Sequence, residues 1–340
     1  KDNLIPSPFD PRLILRIAPA VARAAMETGV ARKPIADFKA YEETLSRFVF
    51  RSGFIMKPLV MAAKANPKRV IYAEGEDERV LRAVQSVVEE GIAWPILIGR
   101  PDIVARRIKR FGLSIAIGRE FELIDPNDDP RYRMFYEAYL ESAGRKGITP
   151  DAAKTLARTN TTVIAALALK TGEADAMLCG LEGRFASRLR YIKDIIGLAP
   201  GATDYSAMSL MITHKGAFFL TDTHVRRDPS AQEIAETTLI CAEHVRRFGL
   251  SPKIALVCDS DFGGSDSPSA IKMRAALELI RAQAPTLEVD GEMQADTALS
   301  PAIRNLVMPH STLKGEANVL VMPNLDAANI AFQLVKVMAD

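Results

Sequence analysis

From Arg69 onward the chain repeats one pattern, in which a short run rich in apolar and β-branched residues is followed by a longer helical stretch and then by another apolar run. Arg69 to Ala73, Trp94 to Ile98, Asp175 to Cys179, Lys253 to Cys258 and Asn318 to Met322 read as buried strands. Apolar strands separated by helices belong to a mostly parallel sheet covered on both faces, so the pattern predicts an α/β fold. At 340 residues the chain exceeds what one hydrophobic core usually supports, which predicts two α/β lobes with a cleft between them.

The helical stretches carry matching faces. Val80, Val84, Val87 and Val88 form a stripe that closes at Gly91, and Met273, Leu277, Ile280 and Ala284 recur at steps of four, three and four. Asp228-Pro229 and Ser267-Pro268 each set a capping side chain before a proline suited to a first helical turn, and Gly249 suits the far end of the first of these helices. Two segments break the alternation. Leu210 to Thr213 and Ala217 to Thr221, joined by His214-Lys215-Gly216, read as an antiparallel hairpin of the second lobe. Lys1 to about Phe50 holds two helical stretches, Leu13 to Thr28 and Asp37 to Phe50, with a break at Gly29 to Pro34; these read as the tail of a preceding domain.

Several function classes fall away. Lys and Arg total 44 against 42 Asp and Glu, which gives no general field for gripping nucleic acid or an anionic membrane. The longest apolar run, Val163 to Leu169, is far short of the roughly 20 residues of a membrane span, and the N-terminus lacks a signal-peptide pattern. A soluble, cytoplasmic protein is expected. Cys179, Cys241 and Cys258 are widely spaced in apolar surroundings and read as core thiols of a reducing compartment. Neither G-x-G-x-x-G nor G-x-x-x-x-G-K-[ST] occurs. His214, His224, His244 and His310 are not arranged as H-E-x-x-H, and Asp222-Thr223-His224 is too common a spacing to mark a relay. No metal or catalytic residue is therefore assigned.

Anion-binding chemistry has better candidates. Arg184, Arg188, Arg190 and Lys193 follow the end of the Asp175 to Cys179 strand, where a parallel sheet borders its ligand crevice. Guanidinium groups there could pair with phosphates, although a solvated helix face would carry the same run. The loop from Asp259 to Asp266, with Gly263, Gly264 and Ser265, also links a strand to a helix; it reads either as a wall that closes over a ligand or as a capped turn with flexible glycines. Arg145-Lys146-Gly147 is either a basic turn or a further phosphate contact.

Three stretches resemble phosphate acetyltransferases: Gly172-Glu173-Ala174-Asp175-Ala176-Met177, Asp290-Gly291-Glu292-Met293-Gln294-Ala295-Asp296, and Lys314 to Ile330, which contains Pro323-Asn324-Leu325-Asp326-Ala327-Ala328-Asn329. Pro8-Phe9-Asp10-Pro11-Arg12 and the segment from Ile17 to Ala31 resemble the last helices of a bacterial malic enzyme domain. The combination resembles the multidomain NADP-dependent malic enzymes. It implies a two-lobed phosphate acetyltransferase-like fold, akin to isocitrate and isopropylmalate dehydrogenases, with a helical tail at 1–50, a first lobe from 51–197 plus 324–340, and a second lobe at 198–323. It implies that malate is decarboxylated to pyruvate and CO2 by a preceding domain using NADP and Mg or Mn, with none of these bound by this chain. It also implies acetyl-CoA as an allosteric ligand, contacted by Arg145, Arg184, Arg190, Gly263, Gly264, Ser265, Asn324 and Asn329. Arg190 and Arg145 each resemble an arginine of the family's acetyltransferase site.

The family's Ser-Arg pair and Asp, thought to orient acetyl phosphate and deprotonate the CoA thiol, fall beyond Asp340, so a regulatory, non-catalytic domain is expected. An active acetyltransferase and a purely structural oligomerisation domain remain the rivals. The resemblance further implies a homodimer of this domain and a higher homo-oligomer of a full-length protein. Sedimentation should give a mass about twice 37.2 kDa at micromolar concentration, and a species of monomer mass alone would contradict the dimer.

Overall fold

The computed structural model of the chain describes residues 11–213 and 216–338. Two helices come first, α1 (Pro11–Glu27) and α2 (Phe38–Ala65). Asp37 starts α2 by accepting the backbone N–H groups of Lys39 and Ala40 on one carboxylate oxygen. The helix does not stop near Phe50 as its sequence pattern suggests; it continues through Pro58 to Ala65. Val60–Ala199 form one compact unit, and Pro11–Leu59 with the described residues from Pro200 onward form another, so the division passes through α2.

The first unit contains β1 (Lys68–Tyr72), α3 (Glu78–Glu90), β2 (Ala93–Ile98), α4 (Pro101–Arg110), β3 (Glu122–Ile124), α5 (Tyr132–Ala143), α6 (Pro150–Thr159), α7 (Thr161–Lys170), β4 (Ala176–Leu178) and α8 (Phe185–Ile195). Its four strands lie in the order β3-β2-β1-β4, all parallel. Alternate residues serve opposite faces. Ile71, Ile96 and Ile98 join Phe135, Tyr139 and the nearly all-buried α7 on one side, while Tyr72 and Leu97 join Leu81, Val84 and Val104 on the other.

The second unit adds β5 (Met208–Ile212), β6 (Ala217–Thr221), α9 (Ala231–Arg247), β7 (Lys253–Val257), α10 (Pro268–Gln283), β8 (Glu288–Met293), α11 (Ala295–Leu299), α12 (Pro301–Val307), β9 (Val319–Val321) and α13 (Leu325–Met338). Strand order is β5-β6-β9-β7-β8. β5 and β6 are the expected antiparallel hairpin, whose His214 and Lys215 lie outside the described residues, and the other pairings are parallel. The same alternation sorts Phe219, Ile254, Leu256 and Val319 to the face under α9 and α10, and Leu220, Ala255, Val257 and Leu320 to the other.

The expected strands appear within a residue or two of their predicted ends, but β3 and β8 have no such apolar signature. β8 reads Glu-Val-Asp-Gly-Glu-Met, yet Asp290 and Glu292 are 3% and 0% exposed. Gly291 is required there, since its φ is +141° and a Cβ would stand 2.6 Å from the Leu256 carbonyl oxygen. Asp228 does not start α9; Ser230 does, in a capping box with Glu233, and Asp228 pairs with Lys272. Ser267 starts α10 as expected. The assignment of 324–340 to the first lobe is corrected for the described residues. α13 packs on β5 and β6, placing Ala328 and Phe332 in the apolar cluster of Met211 and Leu220, because its small inward residues allow close approach to that sheet.

Asp77 caps α3. It accepts the Arg79 backbone N–H at 2.8 Å and two guanidinium bonds at 2.9 Å, and the Arg79 side chain holds its carboxyl at about 2, below the usual 3.8. A depressed folded value means that this stabilisation is complete above the unfolded pKa and is lost as pH falls through the folded one. Asp77→Ala should cost about 1 kcal/mol near neutral pH. In chemical denaturation the gap from wild type should close between about pH 4 and pH 2.

Candidate functional site

In a parallel α/β sheet, ligand-facing loops lie beyond the carboxyl ends of the strands, where the strand order reverses. In the first unit that point falls between β1 and β4, because the chain lays down β1, β2 and β3 in one direction and then adds β4 on the other side of β1. A depression of about 290 Å³ opens there, between Tyr72 and Glu74 at the end of β1 and Leu178 to Leu181 at the end of β4. The Gly180 N–H donates to Glu74 Oε1 at 3.0 Å, tying the two strand ends together.

Arg184 follows at the N-cap position of α8, exposed and making no capping bond. Arg188 is half-buried and donates to Thr162 Oγ1 at 2.9 Å and to the Glu182 carbonyl at 3.4 Å. Arg190 stands about 200° further round the helix. Its side chain is 82% exposed, with Asp194 Oδ2 at 3.9 Å. The basic run is therefore split between faces. Arg145 lies exposed in a 3-10 turn (Gly144–Lys146), and Lys146 Nζ donates to the Asp194 carbonyl at 3.0 Å, which docks this turn on the last turn of α8 near Arg190.

In the second unit the Asp259 to Asp266 loop is pinned rather than free. Glu292 Oε1 accepts from Ser260 Oγ (3.0 Å), the Gly263 N–H (2.7 Å) and Arg274 Nη1 (2.8 Å), while its backbone carbonyl accepts the Phe262 N–H at 2.9 Å. Asp261 accepts the Gln294 N–H on its side chain and the Gly264 N–H on its carbonyl. Arg274 also donates to the Ser265 carbonyl, and Ser265 Oγ accepts the Ser267 N–H. A buried carboxylate thus holds the Gly263-Gly264 loop through several of the loop's own donors, and Ser267 caps the helix that follows. Phe262 sits in the left-handed region at φ 41°, a conformation costly for a bulky residue and maintained by this network.

The loop's ends, Asp259 and Ser267, bonded to each other at 2.9 Å, line a depression of about 370 Å³ together with Cys258, Asn324 and Ala327, at the carboxyl ends of β7 and β9. Asn324 accepts the Ala327 N–H and so starts α13. Asn329 is directed elsewhere, its Nδ2 donating to the Thr223 carbonyl at 3.1 Å. Asp222 accepts the backbone N–H groups of His224, Val225 and Arg226, which makes it a turn cap and not a relay partner. Burial pushes the Cys241 thiol up to about 12 and the Cys258 thiol up to about 11, so neither is a ready nucleophile. Among the described residues no group of three or more His, Cys, Asp or Glu could hold a metal ion, and no helix is long and apolar enough to cross a membrane.

Residues 54–340 match the model of the family described as Phosphate acetyl/butaryl transferase. The chain belongs to this family. A phosphotransacetylase from Streptococcus pyogenes superposes with a TM-score of 0.77 at 28% identity, covering 84% of this chain and 85% of that one. The mixed α/β architecture with parallel sheets is therefore the phosphotransacetylase fold. Over 340 residues, all of this chain, there is 60% identity to an NAD-dependent malic enzyme of Rhizobium meliloti, and over 336 residues, 99% of the chain, 48% identity to an NADP-dependent malic enzyme of Escherichia coli. The chain spans 44% of the length of each.

Within this phosphate acetyltransferase fold, sequence reasoning found the loops but missed the groups that hold them. Glu292 lay inside the Asp290 to Asp296 motif, whose resemblance was its one signal, since Asp, Gly and Glu do not mark a strand. Arg274 and Glu74 carried no such signal. Removing Arg274 leaves Glu292 buried without its cation. Arg274→Ala should cost about 3 kcal/mol of unfolding free energy in urea titration, and Arg274→Met combined with Glu292→Gln should recover much of that.

Proposed function

We propose that this chain is a regulatory, acetyl-CoA-binding and oligomerising domain of a malic enzyme, itself without acetyltransferase activity. The observation that carries the reading is the reach of the similarity: it extends through α1 and most of α2, ahead of the segment matched by the acetyltransferase family, to cover the whole chain in malic enzymes. The malate, metal and dinucleotide sites then belong to the part of such a protein that this chain does not span.

Acetyl-CoA is the ligand that the family's chemistry suggests, and the exposed Arg184 and Arg190 are its phosphate contacts on the first unit. To regulate, it must bind one state of the assembly better than another, and a coupling of about 1 to 3 kcal/mol changes turnover several-fold or more. Inhibition is the expected sign. Cutting the protein near Phe50 is a poor test, because α2 runs unbroken through that position.

Arg190→Ala in the full-length protein is cleaner, since this exposed side chain supports no core packing. Acetyl-CoA should lower malate turnover by the wild type. The variant should keep its oligomeric state and basal turnover while its acetyl-CoA affinity falls by about 1.5 to 3 kcal/mol. Equal inhibition of both proteins would remove Arg190 from the site. Conversion of acetyl phosphate and CoA at about 1 per second or faster would favour an active acetyltransferase instead.

A further inference from the structure

We infer that Pro58 makes α2 a hinged connection between the two units, at which the first unit turns as a body. Within the described residues the chain passes between the units twice, inside α2 at Leu59 and Val60 and in the loop at Ala199 and Pro200. Any turn of one unit against the other must be taken up at these two crossings.

A helix is the stiffer of the two, so α2 decides whether such a turn is possible. An uninterrupted helix of 28 residues is a rod of about 42 Å, which a turn would have to bend or unwind. Proline removes that obstacle. It has no N–H for the carbonyl four residues before it, and its ring crowds that carbonyl, so the hydrogen-bond ladder is open at this turn and the helix bends there most easily. Pro58 stands two residues before Val60, where the first unit begins.

The surroundings of Pro58 leave it able to act. Met56, Lys57 and Pro58 are exposed, while the buried Ile55 anchors the turn before them. The Pro58 ring lies toward Gly249 at the end of α9, where the absence of a side chain leaves room. Pro19 provides the contrast, since it also lies inside a helix but is buried, and α1 belongs wholly to one unit.

The second crossing has matching chemistry. Leu198 to Gly201 are exposed and outside any helix or strand, and Gly197 and Gly201 flank the crossing at φ +79° and +83°. A short loop of this kind absorbs a change of backbone angle without opposing it. The first unit is thus inserted between two yielding crossings. Its turning leaves α1 and the first part of α2 with the second unit, although both precede the first unit in the chain.

Spin labels on α4 and α10 test the hinge through Lys109→Cys and Glu278→Cys, both exposed positions, with Cys179→Ala and Cys258→Ala removing the half-exposed native thiols. Double electron–electron resonance on this chain, diluted with unlabelled copies, gives the width of the distance distribution. Pro58→Ala restores the N–H and the strongest helix preference. It should narrow the distribution and slow amide exchange across residues 55–62 at least about tenfold. Lys57→Ala, at the neighbouring exposed position with its N–H intact, should change neither. Equal widths in wild type and Pro58→Ala, or equal narrowing by Lys57→Ala, would overturn the hinge. The measurement uses no ligand, so its outcome is separate from that of the acetyl-CoA reading.

Discussion

A parallel sheet covered on both faces has no water to satisfy a polar group that enters it, and this constraint organises the second unit. β8 brings two carboxylates into that dry layer. Asp290 is matched by Arg281, Ser311 and the backbone N–H groups of Gly291 and Thr312, and Glu292 Oε1 by Arg274, Ser260 and the Gly263 N–H, while Glu292 Oε2 is left without a hydrogen bond among the described residues. Each carboxylate thereby recruits a segment distant in sequence. The 311–312 turn and the 259–266 loop are placed by the electrostatic need of a strand they do not belong to.

That arrangement explains why an acidic, glycine-bearing loop can be orderly. Asp259 and Asp261 are occupied as acceptors for Ser267 and Gln294, and the glycines serve backbone donors that must come close to a carboxylate or a carbonyl. A loop fixed in this manner is pre-organised by the carboxylate it surrounds. The same logic holds in the first unit, where the Glu74 to Gly180 bond sets the spacing of two strand ends.

The family fold does not by itself dictate what is done on it. Phosphotransacetylases and malic enzymes share this scaffold, and the scaffold supplies a concave edge of strand ends in each unit. Here Glu74 and Asp259 line the depressions while Arg184 and Arg190 lie outside them.

The amino-acid sequence by itself determined the α/β class, five of the nine strands as isolated runs, the β5–β6 hairpin and the family, because continuous apolar strands, helical stripes and long motifs are local signals. It also located the loops after β4 and β7. It could not show that Arg188 and Arg190 leave α8 on opposite sides with different partners, since that depends on what packs against the helix. Nor could it show that β8 is a strand, for Asp, Gly and Glu have poor strand preference until distant cations and donors satisfy them. The placement of α13 with the second unit was likewise decided by tertiary structure, because an apolar helical face states that it will be buried without stating against which sheet.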